Sequence, residues 1–259
     1  MNQSLLPLKG KTVLVPRGKK EAEAFSTLVE QYGGVPMEIP LIAFRPIQSS
    51  KEIVAMFNNL HTYDWIIFTS NVTVETFFSF FKKTPAAIPQ VAVIGEKTAN
   101  VLREKGYGVQ FIPNEYVAEG FAREFRPYVK KGMKVLIPKG NLSRDYIAKS
   151  LINAGALVDE IIIYETYLPE ESKLHLKEAI TNRQLDILTF TSPSTFDHFM
   201  EVILGNGLQR NIEHCLIACI GPVTKEKIES LGWKVDVSPE TYTVENMLKD
   251  VILYIQAQN

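Results

Sequence analysis

Two similar α/β domains, each an open parallel sheet, joined by a two-stranded β-ladder hinge, are what this sequence predicts. Three observations carry the expectation. The chain writes one long pattern twice. Each copy alternates short, wholly apolar runs with longer amphipathic ones, and one extended, proline-ended stretch per copy breaks that alternation. At 259 residues the chain is near the size at which a single core stops growing and a second domain forms.

The duplication is read residue by residue. "IFTSNVT" (67–73) answers "TFTSPST" (189–195), and "KTVLVPRG" (11–18) answers "MKVLIPKG" (133–140), both 122 positions apart. "VAVIGEKTANVLREKGYGVQFIPNEYVAEG" (91–120) answers "IACIGPVTKEKIESLGWKVDVSPETYTVEN" (217–246) at an offset of 126. The extra positions fall near "ILGNGLQRN", since loops tolerate insertion. The period is far too long for a short solenoid repeat.

Within the first copy, "TVLVP" opens as a strand, and the run that follows it is helical. Phe25, Leu28, Val29 and Tyr32 fall at i, i+3, i+4 and i+7, with Gly33-Gly34 as the stop. "WIIFTS", "VAVIG" and "VQFIP" are apolar throughout, which suits strands covered on both faces of a parallel sheet. "GVPMEIPLIAFRP" (34–46) and "LVDEIIIYETYLP" (157–169) are long and extended, and read as hinge strands passing between two bodies. Each body is then an open, flavodoxin-like sheet of four or so strands. Residues 1–38 with 170–259 form the first, residues 46–158 the second, and residues 39–45 and 159–169 the hinge.

Composition narrows the function. A formal net charge of −1 gives no overall attraction to nucleic acid or an anionic membrane. The start "MNQSLLPLKGK" lacks the marks of a signal peptide and no apolar run is long enough to span a bilayer, so a cytoplasmic location is expected. Cys215 and Cys219 share an apolar run and read as buried thiols, and the four histidines lack metal-ligand spacing, so no protein metal site is expected. No dinucleotide or Walker fingerprint follows the first strand, which weighs against a nucleotide-using transferase, and no G-x-S-x-G elbow suggests a hydrolase.

Ligands of open parallel sheets gather at the carboxyl ends of the strands, where helix N-termini present free N–H groups. The repeated phrases lie there. Thr69, Ser70 and Asn71 stand in one copy and Ser192, Pro193 and Ser194 in the other, Ser70 answering Ser192 as cap and Asn71 answering Pro193 at the first helical position. Gly95 and Gly221 end strands and precede Thr98 and Thr224, while "YVAEG" and "YTVEN" mark two further helix starts. Arg17, Lys139 and Arg144 add positive charge at loop mouths. Tyr164 breaks the symmetry: its counterpart in the other hinge strand is Ile42, so one copy alone carries a phenol able to donate a proton.

These residues resemble the uroporphyrinogen-III synthase family, through "FTSNVTVE", "IGEKTANVLREKGY", "IPKGNLSRDYIAKSLINAGALVDEIIIYETY", "FTSPST" and "IGPVTKEKIESLGWKV". The order and spacing of the motifs carry the resemblance, not any one of them, and it implies an enzyme that works without a cofactor. It implies two α/β domains with a cleft between them for hydroxymethylbilane, a linear tetrapyrrole with eight carboxylates. It further implies that the terminal hydroxyl leaves as water, that the substituted carbon of ring D attacks the resulting azafulvene, and that a spiro intermediate reopens and closes with ring D inverted. The family's tyrosine matches Tyr164, its glycine-asparagine turn matches Gly140 and Asn141, and its hydroxyl loops match Thr69, Ser70, Ser192 and Ser194. Where some members have proline-arginine after the first hydroxyl loop, this chain has Asn71-Val72. A monomer in transient contact with the preceding pathway enzyme is the expected state. The rival reading is a two-lobed binding module that closes its hinge on a small anion or sugar.

Overall fold

In a computed structural model the chain is described over residues 6–48, 50–81 and 88–258. The first five residues of the stretch read for a leader lie outside them. The chain forms two compact units, Met1–Ala43 with Tyr167–Asn259, and Phe44–Thr166.

The chain begins in the first unit. β1 (Thr12–Val15) leads into α1 (Lys19–Gln31), which turns Phe25 and Val29 inward and keeps Leu28 and Tyr32 at the edge of the same cluster. β2 (Val35–Glu38) returns beside β1 in parallel register, Thr12 against Val35 and Val15 against Glu38. The stretch 34–46, expected as one extended strand, is two. Ile39 N–H still donates to the Val15 carbonyl at 3.1 Å, but Pro40 has no N–H to continue a ladder. Ile39 and Leu41 instead enter the core with 0% exposure, and Nδ1 of His198 lies 2.6 Å from the Leu41 carbonyl oxygen.

The second strand of that stretch, β3 (Ala43–Pro46), opens the second unit. It is followed by α2 (Lys51–Asn58), β4 (Trp65–Phe68), α3 (Asn71–Ser79), β5 (Gln90–Val93), α4 (Glu96–Glu104) and α5 (Ala118–Phe125). β6 (Lys134–Gly140), α6 (Tyr146–Asn153) and the long β7 (Leu157–Tyr167) complete it, in a sheet ordered β3-β7-β6-β4-β5. The chain then re-enters the first unit through α7 (Glu170–Thr181), β8 (Ile187–Phe190), α8 (Pro193–Gly205), β9 (Leu216–Cys219), α9 (Pro222–Ser230) and α10 (Val244–Gln258), in a sheet ordered β2-β1-β8-β9. β3 and β7, expected as a separate two-stranded ladder, are neighbours inside the five-stranded sheet, with Ile47 N–H donating to the Ile163 carbonyl at 3.0 Å.

The opening strand of each copy pairs with the later strands of the other copy. β1 lies against β8, and β6 lies against β4. One repeated contact marks the exchange: Asp186 accepts from Thr12 N–H at 2.9 Å, and Asp64 accepts from Lys134 N–H at 2.8 Å. Both donors and both acceptors are separated by the repeat spacing.

The four central strands run parallel and are buried on both faces, so alternate residues feed opposite cores. In the first unit Val13 and Val15 join the cluster under α1 and α10, while Leu14, Leu188 and Phe190 join the one with α7 and α8. Cys215 and Cys219 fall together in the latter, both reduced. Burial, with the Asp186 carboxylate adding to it, pushes the Cys215 thiol up to about 12. "VQFIP", expected as a strand, makes only an isolated bridge, Phe111 opposite Ala92, and Val237 does the same opposite Ala218. In both copies a proline, Pro113 or Pro239, follows two positions later and removes the next ladder donor. Among the described residues no helix is long and apolar enough to cross a membrane.

Candidate active site

Parallel pairing places the carboxyl ends of neighbouring strands at one edge of each sheet. In the second unit that edge carries Thr69 and Ser70 after β4, Gly95 after β5, and Gly140 and Asn141 at the end of β6. Ser70 caps α3, its Oγ accepting from Thr73 N–H at 3.2 Å and lying 2.8 Å from Thr73 Oγ1. Asn71 accepts from the buried Thr98 hydroxyl at 3.1 Å, tying α4 to α3. In the first unit Ser192 repeats the cap on α8, its Oγ accepting from Thr195 N–H at 3.3 Å, with Pro193 in the first turn. Each capping serine therefore serves the third helical N–H. The first two, apart from that of Pro193, have no intrahelical partner and are open to an anion. Ser70→Ala and Ser192→Ala are each expected to lower stability by about 1 kcal/mol in urea titrations.

The two glycines that answer each other differ. Gly221 sits at φ +83°, where a side chain is strained, whereas Gly95 is extended at −158° and an added Cβ would meet the Tyr116 ring at an ordinary 3.4 Å. Thr224, like Thr98, is buried, at 3% exposure. Both threonine side chains are therefore turned into the protein. Arg17 follows β1 on the first unit's carboxyl edge, and its Nε is shut off from solvent without a hydrogen-bond partner among the described residues. Ser194 lies one residue into α8, partly exposed.

Two of the basic residues are already occupied. Lys139, with 12% of its side chain exposed, pairs with Glu160 at 2.8 Å across β6 and β7. Arg144 holds Glu119 through both terminal nitrogens, at 2.9 and 3.5 Å. The Glu119 carboxyl is held below the usual carboxylate range, first by its own backbone N–H and then by Arg144.

Gly140 and Tyr164 are brought into contact by a bulge. The β6–β7 register jumps after Lys139, which faces Ile162, so that Gly140 faces Tyr164 and Ile163 is skipped. Asn141 pins the turn to the strand twice just past the tyrosine: its N–H donates to the Tyr164 carbonyl at 3.1 Å, and its Oδ1 accepts from Thr166 N–H at 2.8 Å. The ring is 7% exposed and meets Phe44 edge-on, centroids 5.8 Å apart. Among the described residues its hydroxyl makes no hydrogen bond, which leaves the phenol free to serve a ligand.

The second unit also contains a cavity of about 410 Å³ at this edge, between Thr69, Tyr116, Val117, Glu119, Arg144 and Tyr146. Of these, sequence reasoning named Thr69 and Arg144. Tyr116 and Glu119 lie inside "YVAEG", a pattern that marks a helix start and carries no ligand signal of its own.

A family model described as uroporphyrinogen-III synthase HemD matches residues 23–249. The chain belongs to the uroporphyrinogen-III synthase family. A putative uroporphyrinogen-III synthase of Methanocaldococcus jannaschii is 33% identical over 92% of this chain and 96% of its own. The uroporphyrinogen-III synthase of Synechococcus elongatus is 29% identical over 93% and 94% respectively. Among solved structures, a mutant uroporphyrinogen III synthase of Thermus thermophilus aligns with a TM-score of 0.64 at 20% identity, over 96% of this chain and 100% of that one. That likeness speaks for the fold of uroporphyrinogen-III synthases; the family match favours a cyclising enzyme over the two-lobed binding module.

Proposed function

We propose that this chain is a cyclising lyase that converts hydroxymethylbilane to uroporphyrinogen III, with loss of water and inversion of ring D through a spiro intermediate. The family match across residues 23–249 carries that reading. The reaction needs conformational control more than heavy acid-base apparatus. The linear substrate also closes unaided, to the isomer without inversion, so the enzyme must hold the substituted carbon of ring D as the nearer nucleophile.

Roles follow from the site. The open N–H groups at the start of α3, supported by Thr69, Ser70 and Asn71, take substrate carboxylates in the second unit; Ser192 and Ser194 at the start of α8, with Gly221 and Arg17, do so in the first. Thr98 and Thr224 hold the loops from behind, as do Pro193 and Gly95. The Gly140-Asn141 turn fixes Tyr164, whose phenol donates its proton as the terminal C–O bond breaks. The hydroxyl leaves as water, the pyrrole nitrogen supplies the electron pair that forms the azafulvene, and the proton lost at final ring closure restores the balance. Lys139 contributes through its Glu160 partner, not as a free cation, and Arg144 starts paired with Glu119.

A cytoplasmic monomer in transient contact with the enzyme that makes its substrate belongs to the same reading, because direct transfer spares a substrate that closes on its own. Separation of the type I and type III products formed from fresh hydroxymethylbilane tests the activity.

A further inference from the structure

The cavity in the second unit deepens this reading and rests on it. At about 410 Å³ it falls within the range of ligand clefts, roughly 300–1,000 Å³. Its walls are unusual for a surface: Tyr116 is 56% exposed, Val117 50% and Tyr146 43%, although large apolar side chains gathered at one cavity have reason to be covered. At its rim one guanidinium grips one carboxylate, Arg144 on Glu119, with 68% and 46% of the two side chains exposed. An ion pair that open to water is weak and separates readily. Its geometry, two nitrogens on two oxygens, is also the one a guanidinium offers any other carboxylate.

We propose that Glu119 is a placeholder carboxylate: it occupies Arg144 in the empty protein and yields it to an acid side chain of one substrate pyrrole, whose ring lies in this cavity against Tyr116 and Tyr146. The exchange swaps one carboxylate for another. It needs no proton, and Arg144 has one carboxylate partner before and after. Its effect is selective, since a ring lacking its acid arm cannot displace Glu119, and the aromatic walls alone hold it weakly. Glu119 is thus a specificity-determining residue that competes with substrate, and Arg144 the group both compete for.

The test compares KM for hydroxymethylbilane in Glu119→Gln, Arg144→Met and the double variant. Glu119→Gln is expected to lower KM about fivefold, the size of one exposed ion pair, with the change carried by KM and not by kcat. Arg144→Met is expected to raise KM about tenfold, and in its background Glu119→Gln should change KM by less than about twofold, because the competition has lost its object. An unchanged or higher KM in Glu119→Gln, or a shift of thermal midpoint in both single variants without any shift of KM, overturns the proposal. A second titration separates this from failure of the activity itself. A monopyrrole with acetate and propionate arms, followed by the Tyr116 and Tyr146 ring resonances, should bind Glu119→Gln more tightly than wild type even if no type III product forms. Equal or absent binding in that titration overturns the placeholder role whatever the enzyme makes.

Discussion

Gly140→Ala should cost the protein both stability and turnover. An added Cβ at this position would lie 2.4 Å from Cε2, 2.5 Å from Cζ and 2.8 Å from the hydroxyl oxygen of Tyr164, well inside contact distance. The ring cannot simply withdraw, since it is packed against Phe44 and its strand is tied to Asn141 by two hydrogen bonds. Overpacking of this kind costs about 1–3 kcal/mol in equilibrium unfolding. The larger effect falls on catalysis. A displacement of about 1 Å at a reacting group costs on the order of a hundredfold, so kcat should fall by about that factor. Gly95→Ala is the stability control: its new Cβ would make only a 3.4 Å contact with Tyr116, and its unfolding midpoint should stay near that of wild type.

Tyr164→Phe separates the ring from its hydroxyl. The phenylalanine keeps the edge-on packing with Phe44 and the burial of the ring, and it abandons no hydrogen bond, because the phenol makes none among the described residues. Stability should therefore move by less than about 0.5 kcal/mol. If the phenol donates a proton to the departing hydroxyl, kcat should fall about a hundredfold, the lower end for loss of a general acid. Thermal melts and single-turnover rates measured on one preparation read both quantities. A rate equal to wild type removes Tyr164 from the chemistry and leaves it a packing residue.

Much of this was legible in the chain, and the boundary has a physical cause. The alternation of apolar runs and amphipathic helices, the serine caps at Ser70 and Ser192 and the proline at the start of α8 are local, so periodicity and side-chain type disclose them. The duplication disclosed more, because it aligned Tyr164 with Ile42 and so marked a place where one copy carries a phenol and the other does not. What stayed hidden depends on register and on partners distant in sequence. The bulge after Lys139 sets Gly140 against Tyr164, and nothing in "IPKGN" announces it. Glu160 claims Lys139 and Glu119 claims Arg144 across elements whose neighbourhood appears only once the sheet is assembled. Thr98 and Thr224, chosen as ligand hydroxyls for their place after a strand, turn inward because the first helical turn packs on the sheet. The break at Pro40 and the single bridges at Phe111 and Val237 could have been found, since each lies at or just before a proline.

The central claim is control of how a self-closing substrate closes, so product identity tests it more directly than any rate. Purified protein mixed with freshly generated hydroxymethylbilane, with the products oxidised and resolved by isomer, is expected to give predominantly type III, in a proportion that rises with enzyme until spontaneous closure is outrun. Type I product alone, formed at the rate seen without protein, would contradict it.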